Sequence, residues 1–137
     1  MREVRQEMPR SKHLVWVVLL GVVLFLSGCL DRLVVLDEAD DGGLKTIKVG
    51  DIVVVQLRGS PSGGYLWQLA DTVKEAVLES LGEGEFVPDD SNVCGGSGVW
   101  KFRFRAIASG TTPLDFVYRR PWEDETSDTF SVIVYVR

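Results

Sequence analysis

The strict alternation of apolar and polar side chains in the second half of the chain constrains the fold more than any other feature. Apolar residues take every second position over 100–108 and again over 130–136, and a shorter stretch at 114–118 repeats the pattern. Successive side chains of a β-strand point to opposite faces of its sheet, so this period of two predicts half-buried strands. In the first of these stretches the positions between the aromatic residues are basic: Lys101, Arg103 and Arg105.

The first half of the chain also has the composition of short strands separated by turns. Three segments are alternating or β-branched and are bounded by turn residues: Leu44–Val49, Ile52–Leu57 and Tyr65–Leu69. The apolar run Leu33–Leu36 predicts a short edge strand before an acidic turn at 37–43. Segment 71–81 has apolar residues at helical spacing, but its short length and its position between strands favour a strand around Ala76–Leu81.

These segments together predict an all-β chain, an immunoglobulin-like antiparallel β-sandwich of about seven to eight strands. Residues 44–137 would form this domain, with its first strand beginning near residue 33. Residues 29–43 would then contain a spacer, the edge strand and the acidic turn. Trp67 and Trp100, which lie in predicted strands, are expected in the core.

The first 28 residues have the organisation of a cleavable signal peptide. A basic beginning is followed by an apolar run, Leu14–Leu26, that is shorter than the roughly 18–20 residues needed to span a bilayer. This run ends in Leu26-Ser27-Gly28-Cys29, which resembles a prokaryotic lipobox. The resemblance implies cleavage before Cys29 and a diacylglyceryl group on its sulfur. An uncleaved N-terminal anchor is the alternative, and in both cases we expect a membrane-anchored protein of the cell envelope, facing the periplasm or the exterior.

Removal of residues 1–28 leaves a small acidic chain with few catalytic side chains. Residues 29–137 contain 11 Lys and Arg against 18 Asp and Glu, a formal net charge of −7, and the single histidine, His13, is lost. The absence of histidine excludes His-based triads and His-containing metal sites, and an acidic domain without a basic stripe is a poor candidate for nucleic-acid binding. No residue spacing matches a metal-ligand set, so we expect no enzyme activity and no cofactor. With Cys29 lipidated, Cys94 has no disulfide partner and is expected to be an ordinary loop or core residue.

Three loops differ from ordinary connections. The first, 60–67, combines Pro61, which has a fixed backbone torsion, with two glycines that permit left-handed geometry. The second, 93–98, is rich in glycine and leaves backbone N–H and C=O groups open to a partner. The third, 119–123, places Trp122 in an otherwise polar connection, where the indole either folds back or awaits a partner.

Taken in order, these loops resemble the three signature loops of the chagasin family, whose members inhibit papain-like cysteine peptidases. The first family loop reads Asn-Pro-Thr-Thr-Gly-Tyr/Phe, and here it is Ser60-Pro61-Ser62-Gly63-Gly64-Tyr65. The second reads Gly-x-Gly-Gly, and here it is Val93-Cys94-Gly95-Gly96. The third, Arg-Pro-Trp/Phe, is fully matched by Arg120-Pro121-Trp122. The resemblance extends over nearly the whole chain after the lipobox.

The resemblance implies a reversible, non-covalent inhibitor whose three loops block the active-site cleft of the peptidase. The peptidase-binding residues that it implies are Pro61, Ser62, Gly63, Gly64, Tyr65, Cys94, Gly95, Gly96, Arg120, Pro121 and Trp122. Ser62 would lie nearest the catalytic cysteine and histidine of the peptidase. The backbone around Gly95 and Gly96 would pair along the substrate groove, as an added strand does. Trp122 would pack on an aromatic residue of the primed side.

Three positions depart from the family pattern, and each is expected to lower affinity by about 1 kcal/mol or more. Ser60 lacks the asparagine amide that would stabilise the turn. Gly63 lacks the contacts of a threonine side chain and adds flexibility. Val93, in place of glycine, stiffens or shifts the start of the second loop.

The same residues leave a second function open, that of an immunoglobulin-like cell-envelope lipoprotein with a structural or adhesive binding role. Such a protein would also expose loops of this composition to a partner. An enzyme is disfavoured, because carboxylates such as those at 89–90 and 123–125 occur in runs typical of solvated turns rather than as an acid–base pair. For the inhibitor we expect a monomer.

Overall fold

The computed structural model describes residues 31–70, 73 and 75–137. Cys29 and the rest of the predicted lipobox and signal peptide lie outside these residues. Within the described part, no helix is long and apolar enough to cross a membrane. This part contains nine strands: β1 (Leu33–Leu36), β2 (Leu44–Ile47), β3 (Ile52–Gly59), β4 (Leu66–Leu69), β5 (Leu78–Ser80), β6 (Glu85–Pro88), β7 (Gly98–Ala106), β8 (Gly110–Arg119) and β9 (Asp128–Val136).

The strands form two mixed sheets. The first sheet has the order β1-β3-β7-β5, with β6 also pairing with β7, and the second has the order β2-β9-β8-β4. The all-β prediction is therefore confirmed, whereas the prediction of purely antiparallel sheets is wrong at two sheet edges. The described residues also hold more strands than expected, because Glu85–Pro88 has no apolar alternation that marks it as a strand, yet it pairs with β7.

The two parallel pairs arise from the path of the chain between the sheets. The chain leaves β1 in the first sheet, crosses to the second for β2, and returns to the first for β3. It therefore runs through β3 in the direction of β1, and the two strands pair with Leu33 opposite Ile52 and Leu36 opposite Val55. β2 pairs with β9 in the same parallel manner. A period of two is common to parallel and antiparallel strands, so the sequence pattern carries no signal for this difference.

A single apolar core lies between the inner faces of the two sheets. Phe116 of the second sheet contacts Phe102 and Phe104 of the first, with ring centroids 4.6 Å and 6.3 Å apart. The alternating positions of β9 are all buried, as predicted, and so is Trp67, while Trp100 is half-buried against the core. The molecule is thus a β-sandwich in which β1 also takes part, because Leu36 is completely buried.

The strand register places the three unusual loops at one end of the sandwich. Gly59 at the end of β3 is opposite Gly98 at the start of β7, so the first and second loops leave the first sheet side by side. Leu66 at the start of β4 is opposite Arg119 at the end of β8, so the first and third loops also leave together. We call this the loop end. The other end, which we call the base, contains the beginning of β1 and the turns at 48–51 and 107–109.

The ambiguous segment 71–81 contains a strand, as its position between strands favours. Leu78–Ser80 forms β5 and pairs with β7, and Glu75–Val77 forms a turn before it. Residues 71, 72 and 74 lie outside the described part. Leu78 is fully buried in the core, and this tertiary contact outweighs the local helical spacing.

Candidate functional site

The first loop, 60–67, has a compact shape set by its glycines. Gly63 and Gly64 have φ angles of 72° and 85°, in the left-handed region that favours glycine. The N–H of Gly64 donates to the carbonyl oxygen of Pro61 at 3.1 Å and closes the turn. Ser62 is exposed at the tip. Gly63 therefore suits the backbone of this loop, in which a threonine would be strained.

Ser60 connects the first loop to the second. Its Oγ donates a hydrogen bond to the carbonyl oxygen of Gly95 at 2.9 Å and accepts one from the N–H of Ser62 at 3.3 Å. The serine hydroxyl thus supplies a turn-stabilising bond of the kind expected from an asparagine amide. This departure from the family pattern leaves the turn supported.

Arg120 connects the third loop to the first. Its Nε donates to the carbonyl oxygen of Gly63 at 2.7 Å, and its guanidinium lies over the ring of Tyr65, 4.6 Å from the centroid. Glu123 accepts a second hydrogen bond from the guanidinium at 2.8 Å. This bond is the main cause that raises the pKa of Arg120 above its ordinary high value, so the side chain remains charged.

Trp122 is the most exposed large apolar side chain of the described residues, with 71% of its surface accessible. Its indole nevertheless packs at a defined position against the first loop. A Cβ atom added to Gly64 would lie 2.4 Å from Cη2 of the indole, so the ring lies directly over the backbone of Gly64. Glycine at this position is therefore required by both the φ angle and the close approach of the ring. Pro121, beside the indole, is also exposed.

Tyr118, which the sequence analysis did not identify as a site residue, supports the first loop from below. Its hydroxyl accepts a hydrogen bond from the N–H of Ser60 at 3.0 Å and donates one to the carbonyl oxygen of the same residue. Its ring stacks on Tyr65 at 5.4 Å and contacts Trp67 at 5.2 Å. The sequence contained one signal for this role. Tyr118 is the last apolar residue of an alternating strand, and the hydroxyl of a tyrosine at that position can reach the adjoining loop.

The backbone of the second loop, 93–98, is largely exposed to solvent. Cys94 is exposed with a free thiol, so of the two places expected for it, loop or core, it occupies the loop. A Cβ at Gly95 would meet nothing within 4 Å, and Val93 is exposed. Just before this loop, Asp89 forms an ion pair with Arg58 at 2.6 Å.

The three loops therefore form one surface, with the first loop in the middle. Ser60 joins it to the second loop, while Arg120 and Trp122 join it to the third. Every peptidase-binding residue implied by the family resemblance lies on this surface or directly beneath it. The surface offers an apolar ring, exposed backbone and a compact tip, which suit binding rather than chemistry.

Comparison with known proteins agrees with this geometry. The model of the Chagasin family peptidase inhibitor I42 matches residues 46–134, which is more than half of the chain. The chain belongs to this family. It is accordingly a peptidase inhibitor and not an enzyme.

Individual relatives of this chagasin-family chain cover most of its length. Chagasin of Trypanosoma cruzi is 31% identical over 102 residues, which cover 73% of this chain and 93% of that protein. Amoebiasin-2 of Entamoeba histolytica is 29% identical over 105 residues, covering 73% of this chain and 84% of that protein. The crystal structure of a cysteine protease inhibitor from Entamoeba histolytica superposes with a TM-score of 0.67. It covers 80% of this chain and 100% of that one at 22% identity, a likeness that concerns the fold.

Proposed function

We propose that this chagasin-family chain inhibits papain-like cysteine peptidases reversibly, by placing its three loops in the active-site cleft without forming a covalent bond. The observation that carries the proposal is the joining of the three loops into one surface by hydrogen bonds and a seated indole. A surface held in this way loses little conformational entropy when it binds. A solved structure that is 26% identical to this chain, whose title describes a scaffold based on an inhibitor of cysteine proteases, supports this class of target.

Each loop has a separate role in this proposal. Ser62, exposed at the tip of the central loop, lies nearest the catalytic cysteine and histidine of the peptidase. The open backbone at Gly95 and Gly96 pairs with the edge of the substrate groove. The indole of Trp122 packs on an aromatic residue beside the cleft.

The geometry of the first loop explains why the inhibitor is not cleaved as a substrate. The segment Ser62–Gly64 is a tight turn with left-handed backbone at Gly63 and Gly64, whereas a peptide in a substrate groove pairs in an extended conformation. The carbonyl oxygen of Gly63 already accepts a hydrogen bond from Arg120. This bond fixes the orientation of the Gly63 peptide group within the turn.

A paired substitution tests the role of the third loop. Trp122→Ala should raise the inhibition constant against papain at least about tenfold, because central exposed aromatic anchors contribute a large share of interface free energy. Tyr135→Ala is the matched control, since Tyr135 is also an exposed aromatic residue but lies on β9, near the base. We expect it to change the inhibition constant less than about twofold. Equal effects of the two substitutions would contradict the assignment of Trp122 to the contact surface.

We also propose that the chain is a lipoprotein, attached to a membrane of the cell envelope through Cys29 and facing the periplasm or the exterior. The support is the short apolar run that ends in Leu26-Ser27-Gly28-Cys29 behind a basic beginning. Cys29→Ala should abolish incorporation of radiolabelled fatty acid in a bacterial host. Cys94→Ala should leave incorporation unchanged, because Cys94 lies in the peptidase-binding loops. Labelling that persists in the first variant, or disappears in the second, would contradict the anchor.

A further inference from the structure

The lipid anchor and the peptidase-binding loops connect to opposite ends of the sandwich. β1 runs parallel to β3, and β3 runs from the base to the loop end. Leu33, the first residue of β1, is therefore at the base, where the carbonyl oxygen of Arg32 accepts a hydrogen bond from the N–H of Ile52 at 2.9 Å. Only residues 30–32 separate Cys29 from β1.

The base is also the end that carries exposed apolar side chains close to the anchor. Leu33, Val49 and Ile107 are 62%, 51% and 43% accessible. Backbone hydrogen bonds join the segments that carry them: Gly50 donates to the carbonyl oxygen of Ala106 at 2.8 Å, in the turn between Val49 and β3. These three side chains lie close to the point where the chain enters β1, and other exposed apolar side chains, among them Leu44 and Trp122, lie elsewhere on the domain.

Charge differs between the two ends. Among the described residues at the base, four exposed cations outnumber three exposed acids. The cations are Arg32, Lys48, Arg105 and Arg137, and the acids are Asp31, Glu75 and Glu79. None of these four cations forms an ion pair with a described acidic residue. Asp51, also at the base, is buried and accepts a hydrogen bond from the N–H of Lys48 at 2.9 Å.

The loop end is strongly acidic by comparison. This end has three arginines, Arg58, Arg119 and Arg120, and twice as many carboxylates. The carboxylates lie in and around the second and third loops: Asp89, Asp90, Glu123, Asp124, Glu125 and Asp128. An anionic bilayer repels this end and attracts cations within about a Debye length of its surface. The charge distribution therefore favours the base as the end that faces an anionic membrane.

We infer that the base lies against the surface of an anionic phospholipid bilayer and that the inhibitory loops point away from it. This inference rests on the proposed lipid anchor. An extended spacer of three residues reaches at most about 11 Å, so the domain stays near its lipid. Strands of nine residues, such as β7, place the loop end about 30 Å above the membrane. The partner is then a peptidase that approaches from the aqueous side, with its cleft open toward the anchored inhibitor.

Energy transfer to acceptor lipids tests this orientation in the lipidated protein. Two singly labelled proteins are prepared. The first carries a donor fluorophore on the native thiol of Cys94, at the loop end. The second carries the same fluorophore at position 49, introduced by Val49→Cys in a Cys94→Ser background. In vesicles of phosphatidylcholine and phosphatidylglycerol, transfer from position 49 should be at least about twofold stronger than from position 94, given a height difference of about 30 Å. Equal transfer, or stronger transfer from position 94, would overturn the inference.

Charge reversal tests what holds the base against the bilayer. Lys48→Glu combined with Arg105→Glu should raise transfer from position 94, because the base is repelled and the tethered domain tilts. Lys101→Glu is the control, since Lys101 lies on the same strand as Arg105 but four residues nearer the loop end. If the double variant retains the native transfer, the cations at the base do not set the orientation and this part of the inference is wrong.

The failures of the separate proposals can be told apart. Loss of the protein from the vesicles would show that Cys29 carries no lipid, which overturns the anchor together with the orientation. Native transfer values, together with no inhibition of papain by the unlabelled protein that retains Cys94, would overturn the inhibitor proposal alone. Inhibition with equal transfer from both positions would overturn only the orientation.

Discussion

At the scale of single residues, glycine geometry and side-chain seating act together in the first loop. Gly64 has a φ angle of 85° and lies beneath the indole of Trp122. The family resemblance implies that both residues belong to the contact surface, but their contact with each other becomes visible only in the structure. The conformation of the first loop therefore positions Trp122 of the third loop.

Gly64→Ala should weaken inhibition of papain at least about tenfold, because the added methyl displaces the indole from its seat. The left-handed φ angle alone adds a backbone penalty of about 1 kcal/mol to folding. Gly42→Ala carries a similar penalty, since Gly42 has a φ of 70°, but a Cβ there meets nothing within 4 Å. Inhibition constants and free energies of unfolding measured for both variants separate the two effects. Equal inhibition constants for the two variants would contradict the seated-indole explanation.

Tyr118→Phe isolates the two hydrogen bonds that hold Ser60. The phenylalanine ring keeps the stacking on Tyr65, so the expected loss of stability in chemical denaturation is about 1–2 kcal/mol. Inhibition should weaken several-fold, because Ser60 joins the first and second loops. Tyr135→Phe, on an exposed phenol of β9, should alter neither quantity. A Tyr118→Phe variant with native stability and inhibition would show that the phenol does not support the loop.

At the scale of secondary structure elements, side-chain periodicity predicted most strands but not their directions. The alternation over 130–136 corresponds to β9, and the β-branched run at 52–57 corresponds to β3. The parallel pairing of β1 with β3 and of β2 with β9 depends on crossings between the sheets, for which a single strand contains no information. β6 was not predicted as a strand because Phe86 is only half-buried and Val87 is exposed, so the segment shows no apolar alternation.

The candidate site was predictable to a similar degree. The loops could be selected because three motifs occur in the order of the family pattern and because an isolated tryptophan is unusual in a polar connection. The hydrogen bonds of Ser60 and Tyr118 could not be predicted, since they join residues 35 and 58 positions apart in sequence. Contacts between residues so far apart in sequence depend on the strand register that brings the loops together.

β1 provides a prediction at this scale, because it lies outside the segment matched by the family model and still contributes to the core. Leu36→Ala should lower the free energy of unfolding by about 2–5 kcal/mol, the usual result of truncating a fully buried leucine. Leu33→Ala, on the same strand at an exposed position, should change it by less than about 0.5 kcal/mol. Chemical denaturation of residues 31–137 provides the measurement. Equal values for both variants would show that β1 does not pack on the core in solution.

At the scale of the whole molecule, residues 31–137 form one compact unit whose two ends differ in chemistry. The loop end is acidic, bears the exposed indole and has its backbone open. The base receives the chain from Cys29 and carries the exposed apolar turns. With the lipid anchor that we propose, this division places the membrane attachment at one end and the peptidase-binding loops at the other.

The most direct test of the account is a titration of papain with residues 31–137, which contain all three loops and no lipid. We predict inhibition that is competitive with a peptide substrate, reaches completion at one inhibitor per enzyme, and reverses on dilution. Mass spectrometry should recover the inhibitor chain uncleaved and free of any covalent bond to the enzyme. Absence of inhibition at micromolar concentration, or cleavage within the first loop, would contradict the central claim that the three joined loops block the cleft of a papain-like peptidase.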